Sequence, residues 1–290
     1  MKITPGEIKT GLLHGYLLSV VAPRPICFAS TIDEDGNPNL SPFSFFNVFG
    51  SKPPILIFSP ARRVRDNTTK HTLQNAERTK EVVINVVNYN IVQQMNLASC
   101  EYGEGVNEFV KSGLTPIESD MVKPFRVKES PAQLECRVKE VIHTGEEGGA
   151  GNLIICEVLC MHINDDVLDD DGKVDPHKID LVARMGGNYY CRASGNSVFQ
   201  VDKPNTELGI GVDQLPDIIK NSNILTGNDL GILGNCNRIP DITDISDDRL
   251  KVILKNNNGN DAAILKEKHL YAKELIALRN IDKAWQILLS

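Results

Sequence analysis

The chain has 290 residues, 41% of them hydrophobic and 24% charged, and a formal net charge of -7. That length suits one larger and one smaller globular unit, and the acidic balance argues against general nucleic-acid binding. No charged segment leads into an apolar run at the start, and no apolar run approaches the roughly 18 residues of a membrane span, so the expectation is a cytoplasmic protein with no membrane contact. Residues 9–21 run into Pro23, Arg24 and Pro25, whose spacing enforces an extended path. The β-branched and aromatic residues 26–32 read as a strand, 33–38 as a turn and 39–47 as the returning strand of a hairpin. Side by side, these strands offer the backbone and polar groups of Ala29, Ser30 and Thr31 and of Ser44, Phe45, Phe46 and Asn47, which suit the carbonyls and ring nitrogens of a flat heterocycle. A strand over 54–59, ending at Ser59, precedes Arg62, Arg63 and Arg65, and residues 67–79 read as a capped helix that carries Lys70 and Thr72 near its start. Cations beside a helix N-terminus make an anion site of the phosphate-binding kind.

Residues 82–87 are β-branched on both faces, which places them centrally in a sheet with the helix 67–79 packed on them. Asn90 caps a helix over 91–99, and a second short helix over 106–112 stops at Gly113. Between them, residues 100–105 read equally as a lid or dimer-contact loop over a ligand and as a plain connection. Strict alternation over 133–139 gives a half-exposed strand with Leu134, Cys136, Val138 and Ile142 facing inward. The glycines of 145–152 lack the spacing and the following helix of a dinucleotide loop, so they read as a hairpin loop before a strand over 153–163. His162, near the end of that strand, reads first as a hydrogen-bonded structural residue; its alternative role is contact with the edge of a bound ring. The acidic residues 165–172 lack the spaced ligands and terminal glutamate of a calcium loop and read as a solvated turn. Arg184, followed by Gly186, Gly187, Tyr189 and Tyr190, fits either a cation and aromatic face for a ligand or the anchor of a terminal turn. Seven cysteines, at 27, 100, 136, 156, 160, 191 and 236, include no CxxC pair, so neither a disulfide framework nor a metal site is expected. Cys156, Val158 and Cys160 are assigned to one strand face.

From Gly195 onward strand signals give way to a linker over 202–211, marked by Pro204, and to helical patterns at 215–221, 247–255 and 262–289. In the last of these Tyr271, Leu275, Leu278, Ile281, Trp285 and Leu288 recur at spacings of three and four, a one-sided apolar stripe. A helix pair of that length is not expected to bury such a stripe alone, so it should dock on the larger unit or on a second subunit. The division read from the sequence is therefore 1–195 and 196–290.

The order of residues resembles the flavin reductase-like family with its FMN-binding split barrel. The resemblance rests on Arg24, Pro25, Ser30, Thr31, the runs 35–40 and 42–47, Lys70, Thr72, Leu73, Asn75, Glu135, Cys136 and the run 180–190, and it covers about residues 10–195. It departs at His71, where relatives usually carry Asp. The resemblance implies a mainly β fold, a split Greek-key barrel with flanking helices, followed here by a small C-terminal helical extension. It implies a homodimer holding FMN through Ala29, Ser30, Thr31, Ser44, Phe45, Phe46, Asn47, Ser59, Arg62, Lys70, Thr72, His162 and Arg184. The activity it implies is flavin reduction with NADH or NADPH as the transient, small-molecule electron donor, supplying an acceptor such as a partner oxygenase. No catalytic side chain is required, because the cofactor carries the chemistry. Two alternatives stay open: a non-catalytic FMN electron carrier of the flavoredoxin type, and a split-barrel oxidase acting on a small substrate.

Overall fold

Period-two alternation in one strand decides how the larger unit is layered. In the strand Cys27–Ile32, Cys27 and Ala29 join a core with Phe43, Phe58, Ile84 and Ile154, while Phe28 and the preceding Ile26 join a second core with Leu40, Ile91, Met95 and Phe109. The strand is therefore buried on both faces. The computed structural model describes residues 1–103, 105–202, 208–241 and 247–290, which form two compact units, Met1–Phe199 and Gln200–Ser290.

In chain order the first unit contains α1 (Thr10–Val20), β1 (Arg24–Pro25), β2 (Cys27–Ile32), β3 (Pro38–Phe43), β4 (Phe46–Ser51), β5 (Pro54–Phe58), α2 (His71–Thr79), β6 (Glu81–Val86), α3 (Val92–Ala98) and α4 (Glu108–Ser112). The short β7 (Pro116–Ile117) and β8 (Arg126–Val127), the long β9 (Ala132–His143) and β10 (Asn152–Ile163), and β11 (Val182–Arg184) and β12 (Tyr190–Arg192) follow. Seven strands pair in the order β3-β2-β6-β9-β10-β5-β4, every neighbour antiparallel. Its two edge strands, β3 and β4, are consecutive in the chain and joined through Ser44 and Phe45. The sheet thus curls until its edges approach without pairing, which is a split barrel. Helix α2 supplies Leu73 and Ala76 to one core, and α3 and α4 supply Met95, Ala98 and Phe109 to the other. Burial of a large side chain such as Phe28 or Phe58 contributes about 1.5–3 kcal/mol. A smaller sheet, β1-β11-β12, sets Arg24 opposite Arg184.

Two local expectations change and one holds. Helix α2 begins at His71 with Lys70 as its N-cap, four residues later than 67, because Asn67 takes a positive φ of 58° and its side chain accepts from Arg62 Nε at 2.7 Å and donates to the Glu146 carbonyl at 2.9 Å. Cys160 does not share the face of Cys156 and Val158. The pairing runs Val158 with Cys136 and then Cys160 with Glu135, so Leu159 is an extra residue in a bulge that turns the end of β10 over. The glycine-rich segment is the β9–β10 hairpin loop, as its spacing predicts.

The second unit is helical: α5 (Asp217–Lys220), α6 (Gly227–Leu233), α7 (Asp248–Asn256), α8 (Asp261–Ala277) and α9 (Ile281–Leu289). Contrary to expectation, its stripe is covered within the unit. Leu215, Ile219, Leu225, Leu233, Leu250 and Ile253 pack with Tyr271, Leu275, Trp285 and Leu288 in one core. The cover comes from short helices that each offer only one or two buried residues, too few to show a period. Leu278, at the C-cap of α8, is 77% exposed and leaves the stripe. Pro204 of the expected linker lies outside the described residues. No helix among the described residues is long and apolar enough to cross a membrane.

Candidate functional site

Strand β2 is flanked by β3 and β6, which take up the backbone groups of Ala29 and Ser30 on both sides and leave β3 as the edge. Along that edge runs a series of three connected hollows. At one end a narrow cleft of about 30 Å³ is lined by Asn39 and Ser41 of β3, by Arg63, Lys70, His71 and Thr72, and by residues 98–102 and Glu108. A slot of about 180 Å³, sharing Ser99 with the cleft, follows under Pro42, Phe43 and Ser44, with Met95 and Asn96 of α3 as its other wall. It continues past Arg184 and Tyr190 into a hollow of about 540 Å³ that also involves Tyr89 and Arg192.

The cleft holds two cations, Lys70 and Arg63, with Glu101 and Glu108 in its wall. Lys70, the N-cap of α2, is half-buried, with Nζ 3.4 Å from Ser41 Oγ and 4.9 Å from the centre of the Phe43 ring. No carboxylate of the described residues lies within ion-pair distance of it. Burial, then the nearby Arg63, push its ammonium below the ordinary lysine value, while Glu101 and Glu108 oppose the shift. Arg63 is held by Glu101 at 3.2 Å, by Thr68 Oγ1 at 2.8 Å and by the Thr69 carbonyl at 3.1 Å. Thr72 is 1% exposed, and its Oγ1 accepts from Asn39 Nδ2 at 2.9 Å; the same amide reaches Thr31 Oγ1 at 3.2 Å, and Asn75 Nδ2 reaches Thr31 Oγ1 at 3.2 Å. This buried network fixes β3 against α2. Glu108 accepts from the Leu40 amide at 3.0 Å, and burial raises its carboxyl above the usual range.

The far end of the slot is also cationic. The pairing of β1 with β11 places Arg24 beside Arg184. Arg24, 6% exposed, donates to the carbonyls of Leu18 and Val21 at 2.6 Å and of Met185 at 3.2 Å, and reaches Ser44 Oγ at 3.5 Å. Burial, then Arg184, lower its ordinary value. Arg184 stacks 4.5 Å from the Tyr190 ring, donates to the Tyr190 hydroxyl, and reaches the Gly187 carbonyl at 2.8 Å.

Of the residues expected from the sequence, Ser44, Lys70, Thr72 and Arg184 line these hollows, with Thr31 linked through Asn39. Ser30 is fully buried, and its Oγ has no hydrogen-bond partner among the described residues. Phe45 stands on the chain between the edges, edge-on to His14 at 6.2 Å; Phe46 packs on the barrel core; Asn47 is exposed and bonds the Val48 amide at 2.8 Å. Ser59 is engaged with the Asn152 amide at 3.1 Å, and Arg62 with Asn67. His162 lies in a different cluster, 2.7 Å from Glu135 Oε1. Arg63, Asn39, Ser41, Arg24 and Asn96 were not singled out as ligand residues from the sequence. Arg24 and Asn39 lie in the motif that carries the family resemblance, which was the available signal; Asn96 had none.

The cleft and the slot fit a planar group with an anionic tail: a half-buried ammonium with no carboxylate of the described residues at ion-pair distance stands at one end of a narrow gap walled by Pro42, Phe43 and Met95. Residues 20–178 match the flavin reductase like domain family. A protein of Aquifex aeolicus whose function is uncharacterised is 37% identical over 201 residues, 69% of this chain and 100% of that one. The crystal structure of nitrilotriacetate monooxygenase component B from Bacillus cereus superposes with a TM-score of 0.64 at 25% identity, over 69% of this chain and 98% of that one. A protein of Shewanella frigidimarina assigned as a flavin reductase with a split barrel domain gives a TM-score of 0.59 at 26% identity, over 70% and 99%. The chain belongs to the flavin reductase-like family and carries its split barrel.

Proposed function

We propose that the barrel unit is an FMN-binding oxidoreductase that takes electrons from NADH or NADPH and passes them to a redox partner, such as an oxygenase. The observation that carries this reading is the cleft with Lys70 at its centre, opening into the slot under Ser44. Lys70 and Arg63, at the start of α2, would hold the phosphate of FMN there, where charge-assisted contacts would offset the desolvation of the ammonium. Ser44 and Asn96 would bond the ring edge, and Pro42 and Phe43 on one wall and Met95 on the other would exclude water. Arg24 and Arg184 place positive charge at the end of the slot, favouring an electron-rich reduced ring. Bound FMN supplies the two-electron chemistry, so the chain contributes orientation and field rather than a reacting side chain.

The wider reading includes a homodimer in the cytoplasm, with residues 196–290 as a helical extension of the flavin-binding unit. Exposed apolar side chains on α1 and on edge strand β4, among them Leu17, Val20, Val48 and Phe49, support self-association of the barrel. The similarity to a component of a two-component monooxygenase supports a redox partner. Anaerobic mixing of the FMN-loaded protein with NADH and then NADPH tests the activity. Rapid bleaching of the flavin absorbance is expected with one or both; bleaching by dithionite alone would make the protein an electron carrier instead.

A further inference from the structure

The pairing of β9 with β10 gathers side chains that are far apart in sequence. Glu135 is fully buried, Cys160 and His162 are half-buried, and their carboxylate oxygen, thiol and ring nitrogen all lie within 4.8 Å of one another. His162 Nε2 is 2.7 Å from Glu135 Oε1, 3.6 Å from Cys160 Sγ and 3.8 Å from Asp120 Oδ2. The bulge at Leu159 produces this arrangement, because it turns Cys160 and His162 to the face that Glu135 occupies. None of these residues lines the cleft or the slot.

A thiol, an imidazole nitrogen and carboxylate oxygens around one point are the mixed donor set that zinc takes. Tetrahedral zinc, with Zn–N of about 2.0 Å and Zn–S of about 2.3 Å, holds its ligand atoms roughly 3.3–3.6 Å apart. The sulfur spacing to Nε2 matches that, and Asp120, whose side chain is 66% exposed and whose Oδ2 is 3.8 Å from Nε2, offers a fourth donor from the solvent side. The short contact between His162 and Glu135 is that of a shared hydrogen: Glu135 already accepts from the amides of Asp120, Met121 and Val122, so Nε2 is the donor. Arg126 stands 3.9 Å from the same carboxylate oxygen and is the one cation beside the cluster among the described residues.

We propose that Glu135, Cys160, His162 and Asp120 form a zinc site on the β9–β10 ribbon. On binding, the imidazole carries its hydrogen at Nδ1 and ligates through Nε2, the thiol ligates as thiolate, and one proton passes to solvent. Side-chain spacing along the sequence could not reveal the site, because the ligands come from two strands and a loop.

The tag-free, full-length protein with its flavin, freed of metal by chelator dialysis, is titrated with Zn²⁺ by calorimetry and with Co²⁺ by difference absorption. One ion per chain and a thiolate-to-cobalt charge-transfer band are expected. Cys160→Ser should abolish the band and weaken zinc binding at least about tenfold, His162→Gln should weaken it similarly, and Cys236→Ser, a free cysteine of the helical unit, should change neither. Circular dichroism checks that each variant is folded, and Asp120→Asn replaces any that is not. Failure of the parent chain to bind zinc stoichiometrically, or zinc affinity that survives substitution of these ligands, overturns the proposal.

Discussion

Asp247 of the helical unit and Lys70 of the barrel show two opposite treatments of a charge taken out of water. In the helical unit, Asp247 is 5% exposed and fully matched: it caps α7 through the Leu250 amide at 2.7 Å, accepts from the Tyr271 hydroxyl at 2.9 Å, and pairs with Lys283 at 2.7 Å. In the barrel unit, Lys70 is half-buried beside a hydroxyl and an aromatic face, with no carboxylate of the described residues at ion-pair distance, and Arg24 is buried against carbonyl groups. A matched charge closes a core, whereas a cation left without its carboxylate at the end of a slot is poised for an anion from outside. On the proposed reading, packing falls to the helical unit and ligand binding to the barrel.

The sharpest way to break it is to damage one unit and read the other. Trp285 is 1% exposed in the helical core, and Trp285→Ala should destabilise that unit by about 3–5 kcal/mol while leaving FMN affinity unchanged, since every residue lining the cleft and slot belongs to the barrel. Thermal melts followed by tryptophan-independent circular dichroism, beside FMN titrations, read both; lost FMN binding in a chain whose barrel remains folded would dissolve the division. The reciprocal change is Lys70→Ala, which removes a charge-assisted contact and should weaken FMN about tenfold to a hundredfold in a fluorescence titration, with no loss of helical stability.

A smaller effect sharpens the matched side. Although burial opposes ionisation of Asp247, its contacts with Lys283, the Leu250 amide and the Tyr271 hydroxyl hold its pKa at about 2. Because that lies below the ordinary aspartate value of about 3.9, the stabilisation is present in full above about pH 4 and is lost as the pH falls toward 2. Asp247→Asn should flatten this part of the melting temperature against pH profile; an unchanged acid limb would remove Asp247 from the account. The smallest expected effect separates two neighbouring arginines. Arg63 lines the cleft but is already paired with Glu101, so Arg63→Ala should weaken FMN only about threefold to tenfold, and Arg62→Ala, at Asn67, within about twofold. A larger loss for Arg62 than for Arg63 would place the phosphate on the other side of the loop.

What the sequence made legible follows from how local each signal is. The hairpin between β2 and β3 is written in its turn: Asp33 accepts from the Asp35 amide at 3.0 Å and the Asn37 amide at 2.8 Å, and Gly36 takes a φ of 88°. The central strand β6 announces itself by β-branched residues on both faces. The choice of Arg63 over Arg62 does not, because it depends on the path of a loop pinned by Asn67 to Glu146, far along the chain. The face of Cys160 was illegible for a related reason: a bulge is a property of the pairing of β10 with β9, not of β10 alone. In the helical unit the stripe of α8 and α9 was visible from its period, but its cover, scattered over Leu215, Ile219, Leu233 and Leu250, has no period to read.

The central claim is that the cleft holds the phosphate and the slot the ring of FMN. Its most direct test is equilibrium titration of the flavin-free protein with FMN and with riboflavin, followed by flavin fluorescence quenching. The account predicts one FMN per chain, bound at least about tenfold more tightly than riboflavin, with the gap closing in Lys70→Ala while riboflavin affinity stays as it was. Equal affinity for the two flavins, or uptake of neither, would contradict it.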